Sequence, residues 1–136
     1  MPAKKGMLKM NITIIPQSWA PALLSLLRVM TALLFLEHGT AKILGFPALE
    51  PSPLPAFMLI VTGLIELIGG ALILVGFLTR PTAFVLSGYM AVAYFIAYPP
   101  MGFFPMNNHG ELTVLYCFVF LYLAAAGAGR YAIDKA

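Results

Sequence analysis

The sequence predicts an all-α integral membrane protein, a bundle of four transmembrane helices with both termini in the cytoplasm. Two properties of its composition indicate the membrane. Hydrophobic residues make up 61% of the 136-residue chain and charged residues only 10%, whereas a soluble domain carries about a quarter charged residues. The mean hydropathy is +0.93. The apolar residues are too many for one small core, so membrane lipid must solvate part of the surface.

Four apolar stretches predict the helices. Each is close to the ~20 residues that cross about 30 Å of hydrocarbon, and proline and glycine break the chain between them. We therefore interpret residues 1–136 as one membrane domain that begins with a cytoplasmic N-terminal segment, residues 1–19. The predicted transmembrane helices cover residues 21–44, 54–78, 82–98 and 111–127.

The positive charges predict the orientation, because lysine and arginine accumulate on the cytoplasmic side of membrane proteins. With the N-terminus inside, the outer side receives only Lys42, at the end of the first helix. This placement at the ends of helices also argues against a nucleic-acid-binding stripe, although the net charge is +3. The cations on the inner side are Lys4, Lys5, Lys9, Arg80, Arg130 and Lys135.

Arg28 and Glu66 are ionisable residues within the first and second predicted helices. Such residues are costly in a membrane unless they are paired or hydrated, which makes them candidates for a functional site. At 1.5 Å per residue their depths differ by less than about 10 Å. We therefore expect an Arg28–Glu66 ion pair, which either fixes helix register or belongs to a ligand site. An unpaired, protonated Glu66 is the alternative, because burial favours the neutral carboxyl group.

His38 and Lys42 form a second polar group near the outer end of the first helix. Their i, i+4 spacing puts them on one face of the helix, whereas Glu37 points about 100° away. A histidine at this position can hydrogen-bond a quinone carbonyl, relay protons or bind a metal. The alternative is a core histidine with satisfied hydrogen bonds. The combination with Lys42 and Glu37 favours a functional role.

The segment of residues 99–111 joins the last two predicted helices and is rich in proline, aromatic and amide residues. We expect it to cover the outer mouth of the bundle, with Asn107, Asn108, His109 and Glu111 a turn or two above His38. Alternatively, Asn107 or Asn108 caps the last helix, where the N-terminal dipole favours Glu111.

Metal and cysteine chemistry receive little support. A site formed by His38, His109, Glu37 and Glu111 would have the right residue types, but their spacing matches no known ligand signature. We therefore predict no metal. Cys117 is the single cysteine, which excludes exchange reactions that need a cysteine pair.

Arg28 and a series of short motifs together carry a family resemblance. The motifs are EHGTAK at residues 37–42, ELIGG at 66–70, GFLTRP at 76–81, GFFP at 102–105 and NHGE at 108–111. In this order, from about residue 26 onward, the chain resembles the DoxX family of small bacterial and archaeal membrane proteins. It departs from the family at His109, where many relatives have glycine, which weakens a mechanism that depends on this histidine.

The resemblance implies a four-helix bundle in the plasma membrane. The family takes its name from proteins that resemble subunits of a thiosulfate:quinone oxidoreductase, and other members look like partners of redox or detoxification enzymes. The first hypothesis is therefore a quinone-binding redox subunit. His38, Lys42 and Glu66 would then contact the headgroup, and Arg28 would keep Glu66 ionised. No catalytic residue is assigned, and no flavin, haem or iron–sulfur motif is visible in the sequence.

Two other hypotheses stay open. The chain is a non-enzymatic assembly factor or anchor that contacts a protein partner, or it is a small-solute or proton permease. At 136 residues a permease would need to form a homo-oligomer to line a pathway.

Overall fold

The computed structural model describes residues 12–135, and this part of the chain is helical without any strand. The helices are α1 (Ala20–Leu44), α2 (Ala56–Val75), α3 (Thr79–Ala97), the short α4 (Pro105–Asn108) and α5 (Glu111–Ala126), with short 3-10 turns at Gln17–Trp19 and Pro99–Met101. The predicted all-α fold is confirmed. Lys4, Lys5 and Lys9, on which part of the orientation argument rests, lie outside the described residues.

The outer surface of the bundle is apolar. Phe57 on α2, Phe84 on α3 and Phe118 on α5 are all exposed. Within residues 12–135, the segments Gln17–Leu44 and Ala56–Val75 are long and apolar enough to cross a membrane, and α5 is a shorter apolar helix. Hydrocarbon is the solvent that such a surface requires.

Glycines bring α1 and α2 into close antiparallel contact. A Cβ atom at Gly39 would lie 2.5 Å from the backbone nitrogen of Leu67, and a Cβ at Gly63 would lie 2.8 Å from the Cβ of Lys42. Small residues of this kind allow membrane helices to pack backbone to backbone. α3 packs along α5 in the same extensive way, whereas the contact between α2 and α3 is smaller.

An aromatic cluster joins these two helix pairs. The ring of Phe35 on α1 meets the ring of Phe120 on α5 edge to face, with centroids 5.0 Å apart. Tyr116 stacks on Phe120 at 5.8 Å. All three side chains are buried, so they form the centre of the core.

The C-terminal segment, residues 127–135, closes one end of the bundle. The amide of Arg130 donates to the carbonyl of Pro21 at 3.1 Å, and the amide of Ile133 donates to that of Val75 at 3.1 Å. The Asp134 carboxylate accepts hydrogen bonds from the amides of Leu78 (2.9 Å) and Thr79 (2.8 Å). Asp134 therefore satisfies amides at the start of α3 that have no partner within the helix.

Arg28 belongs to this closed end, and the predicted Arg28–Glu66 ion pair is wrong. The guanidinium of Arg28 donates to the backbone carbonyls of Tyr131 at 2.7 Å and of Ala128. In the observed register Gly39 lies against Leu67, so Glu66 is about 11 residues, or roughly 17 Å, from the level of Arg28.

The depths expected from the sequence are wrong because the C-terminal end of α1 and the N-terminal end of α2 are not level. Gly63 lies against Lys42 and Ile43, near the end of α1, whereas α2 already begins at Ala56. α2 therefore extends beyond α1 by roughly 7 Å. Glu66 is correspondingly closer to Lys42 than the sequence indicated.

Candidate functional site

Glu66 is bonded by groups from two neighbouring helices. The ammonium of Lys42 on α1 lies 2.9 Å from its Oε1 atom, and the hydroxyl of Tyr89 on α3 donates to the same atom at 3.0 Å. The side chains of Lys42 and Glu66 are only 14% and 7% exposed. Lys42 therefore provides the countercharge that the sequence had assigned to Arg28.

Local features of the two helices position Lys42. It lies in the last turn of α1, where the helix dipole favours a cation. Gly63 faces its Cβ and leaves room for the side chain to lie along α2. The Thr62 hydroxyl donates to the carbonyl of Met58 at 2.7 Å and accepts from the Lys42 ammonium at 3.2 Å.

The Lys42–Glu66 pair borders a cavity of about 410 Å³ between the long helices. This volume is within the range of small-molecule sites. Met58 and Leu54 line it near the start of α2, Met90 and Ile96 lie on α3, and Leu112 lies on α5. The cavity is therefore a chamber that combines apolar and polar side chains. The polar ones are His38, Lys42, Thr62, Glu66, Tyr89, Tyr98, His109, Thr113 and Tyr116.

Two buried polar atoms of this lining have no hydrogen-bond partner among residues 12–135. They are the Oε2 atom of Glu66 and the hydroxyl oxygen of Tyr116, and both residues are 5% exposed. Buried polar atoms are nearly always hydrogen-bonded, and an exception calls for an explanation such as a bound molecule. Glu66 thus has an unused acceptor and Tyr116 an unused donor, and both residues line the chamber.

Both histidines line the chamber. The His38 ring lies perpendicular to the ring of Tyr116, with centroids 6.5 Å apart. His109 follows α4 in a left-handed backbone conformation, with φ of 61°. His38 and Lys42 thus share the chamber with Glu66 and His109.

The structure places the remaining predicted candidates elsewhere. Glu37 and Glu111 are exposed and do not line the chamber. Asn108 is buried and organises the loop of residues 99–111: its side-chain amide donates to the Tyr94 hydroxyl at 3.0 Å and accepts from the amide of Gly110 at 2.8 Å. Arg28 lies at the closed end. In the described part of the chain, no three His, Cys, Asp or Glu side chains are close enough to hold a metal ion.

Tyr89 and Tyr116 also line the chamber, but the sequence did not identify them as site residues. Each carries a hydroxyl into an otherwise apolar helix, where a donor needs a partner. That signal was available, but the pattern could not identify the partner or the cavity, because both depend on how the helix pairs meet.

The fold and the chamber define a small helical membrane protein with a polar cavity among its helices. The family model described as DoxX matches residues 23–99, and the chain belongs to this family. The predicted family membership is confirmed.

The chain is also similar to three curated proteins. The chain is 43% identical to an uncharacterized protein of Haemophilus influenzae, over 88% of this chain and 93% of that protein. It is 34% identical to the inner membrane protein YqjF of Escherichia coli, over 79% and 86% of the two chains. It is also 32% identical to a Bacillus subtilis protein named "Putative oxidoreductase CatD", over 80% and 82%. No solved structure matches the chain.

Proposed function

We propose that the chamber binds the headgroup of a quinone and that the chain acts as the membrane subunit of a redox or detoxification system. The observation that carries this proposal is the pair of unpartnered atoms, Glu66 Oε2 and the Tyr116 hydroxyl, on one cavity of about 410 Å³. A quinone offers carbonyl acceptors, and its reduced form offers hydroxyl donors. The oxidoreductase name of the Bacillus relative supports the redox assignment.

The residues that line the chamber would contact the quinone as hydrogen-bond donors or as an acceptor. Tyr116 and His38 donate hydrogen bonds to a carbonyl oxygen of the quinone, and the free Oε2 atom of Glu66, whose Oε1 atom is held by Lys42, accepts a hydrogen bond from a hydroxyl group of the reduced form. A quinone supplies the redox chemistry by taking up two electrons and two protons. The electrons come from a separate redox protein that docks at the membrane and the two protons come from water, while the chain binds and orients the headgroup.

A melting experiment tests the proposal. A short-chain quinone added to the purified protein should raise the melting temperature, and His38→Ala should lose this increase. Glu37→Ala is the matched control, because Glu37 is the adjacent residue and lies outside the chamber; it should respond like the wild type. Absence of any increase in the wild type would refute quinone binding.

We also infer four membrane crossings with both termini in the cytoplasm. Arg80, Arg130 and Lys135 lie at the closed end, while Lys42 lies in the last turn of α1 toward the other end, in accord with the positive-inside rule. The inner-membrane name of the Escherichia coli relative supports the plasma membrane. In a Cys117→Ser background, an impermeant maleimide should label Ser52→Cys in intact cells but label Lys135→Cys only after lysis.

The loop of residues 99–111 supports a second candidate function, in which the chain is a non-enzymatic assembly factor or anchor that binds a protein partner. Phe103, Phe104 and Met106 are all exposed, and an exposed apolar cluster of this kind is typical of contact surfaces. Purification from intact membranes after crosslinking tests this candidate, which fails if the protein migrates alone. The permease hypothesis stays a prediction, tested by proton or solute flux into liposomes.

A further inference from the structure

An apolar groove of about 450 Å³ lies between α2 and α3. Ile65, Ile68 and Gly69 line it on α2, and Val85 and Leu86 line it on α3. Ile68 and Val85 are 59% and 64% exposed, so the groove is open at the outer surface of the bundle. α2 packs less extensively on α3 than on α1. The groove therefore follows the seam between the α1–α2 pair and the α3–α5 pair.

The groove and the polar chamber lie side by side along the α2–α3 contact, where Ile65 lines the groove and the next residue, Glu66, lines the chamber. On α2, Glu66 lines the chamber and Gly69 lines the groove; on α3, Tyr89 lines the chamber and Leu86 lines the groove. The hydrogen bond between Tyr89 and Glu66 marks the boundary. The two spaces therefore adjoin along one seam, with the polar part toward the start of α2 and the apolar part toward its end.

Gly69 shapes the groove next to this boundary. A Cβ atom at this position would lie 2.8 Å from Cδ2 of Leu86, so the leucine side chain rests on the glycine backbone and forms the groove wall. The lining residues on α2 extend from Leu64 to Leu72, a length of roughly 12 Å along the helix. A groove of this length with an apolar lining suits a hydrocarbon chain.

We propose that the ligand of the chamber carries a hydrocarbon tail and that this tail lies in the α2–α3 groove. The inference rests on the proposed headgroup site and specifies the ligand class: a lipid-soluble, tailed quinone in place of a small water-soluble one. The adjacency of the two spaces supports this occupant, since a headgroup beside Glu66 lies next to Ile65 and Gly69, which line the groove. The competing occupant is an acyl chain of ordinary membrane lipid, which has no connection to the chamber.

Binding of tailed and tailless quinones by protein in lipid nanodiscs tests the inference. A tailed quinone concentrates in the lipid, and this alone would raise its apparent affinity. The partition coefficient of each quinone is therefore measured, and ligand amounts are expressed as mole fractions in the lipid. The wild type should bind a quinone with two isoprene units about tenfold more tightly than the tailless headgroup, since burial of a few methylene groups suffices for that gain. Val85→Phe and, independently, Ile68→Phe fill the groove and should remove the gain while leaving the tailless affinity unchanged.

Val61→Phe is the matched control, because Val61 is exposed on α2 but does not line the groove; it should keep the gain. Equal affinity for both quinones in the wild type, or a gain that survives both groove variants, would overturn the inference and leave the headgroup site standing. If the wild type bound neither quinone, the headgroup proposal itself would fail.

Discussion

The Nζ atom of Lys42 lies 2.9 Å from the Oε1 atom of Glu66, and this contact joins α1 to α2 within the apolar bundle. The Lys42 ammonium compensates the negative charge of the buried carboxylate at one of its two oxygens. The Tyr89 hydroxyl adds a second bond to the same oxygen, while Oε2 has no partner within residues 12–135. Glu66 is thus held in place and still has an acceptor free for a ligand.

Removal of Lys42 should destabilise the protein. Lys42→Met leaves a buried carboxylate without its countercharge, so we expect a loss of about 3 kcal/mol in unfolding free energy. Lys42→Met combined with Glu66→Gln should recover most of this loss, because no charge is then left unpaired. Chemical or thermal unfolding in detergent measures both, with the exposed Lys135→Met as the control. A double variant whose losses simply add would contradict the ion pair.

Tyr89 and Tyr116 should respond oppositely to loss of their hydroxyls. Tyr89→Phe removes a hydrogen bond to Glu66 and should cost about 1 kcal/mol. Tyr116→Phe removes a hydroxyl without a partner, so the ligand-free protein should be as stable as the wild type or slightly more stable, while quinone stabilisation is reduced. Melting temperatures with and without quinone measure both effects. Equal destabilisation by the two variants would argue that the Tyr116 hydroxyl is already satisfied in the ligand-free protein.

Local patterns in the sequence predicted the helices and part of the site. The i, i+4 spacing of His38 and Lys42 correctly predicts a shared face, because it depends only on helix geometry. The partner of Glu66 was predicted wrongly, because it depends on how far one helix slides along the other. Contacts of Gly39 and Gly63 set that register. A sequence pattern shows that glycines are present but not which residues they face.

The closed end depends on a non-local feature of the same kind. In the sequence, the residues after α5 stand out mainly by their positive charges, whereas in the structure they fold back so that the Asp134 carboxylate accepts hydrogen bonds from the first amides of α3. This contact joins residues that are 55 positions apart in the sequence. The burial of Arg28 among carbonyls of this segment follows from the same fold-back.

Asp134 should make stability depend on pH. Burial alone would raise its pKa, but hydrogen bonds from the amides of Thr79 and Leu78 and the charge of Arg28 hold the pKa below its ordinary value. A carboxylate with a lowered pKa in the folded state contributes stability above its ordinary pKa, about 3.9. That contribution is lost as the pH falls through the lowered folded-state value.

Asp134→Asn should therefore lower the melting temperature near neutral pH, and the difference from the wild type should shrink below about pH 4. Melting curves of both proteins between neutral and acidic pH measure it. Glu111→Gln, which removes an exposed carboxylate away from this contact, is the control. A difference that stays constant down to the most acidic pH would contradict the role of the ionised carboxylate.

Arg28 should matter for the C-terminal segment and not for the ligand. Arg28→Gln leaves the Ala128 and Tyr131 carbonyls with weaker donors, and we expect a loss of about 2 kcal/mol together with faster tryptic cleavage after Arg130. The increase in melting temperature caused by quinone should remain. If Arg28→Gln folds but quinone no longer raises its melting temperature, Arg28 belongs to the binding site.

Photolabelling with an azidoquinone in membranes tests the central claim, that the chamber holds a quinone headgroup, most directly. The label should appear on peptides of α1 and α5 that contain His38 or Tyr116, and unmodified quinone should compete it away. Labelling that is spread over lipid-facing residues such as Phe84 and Phe118 and resists competition would contradict the account.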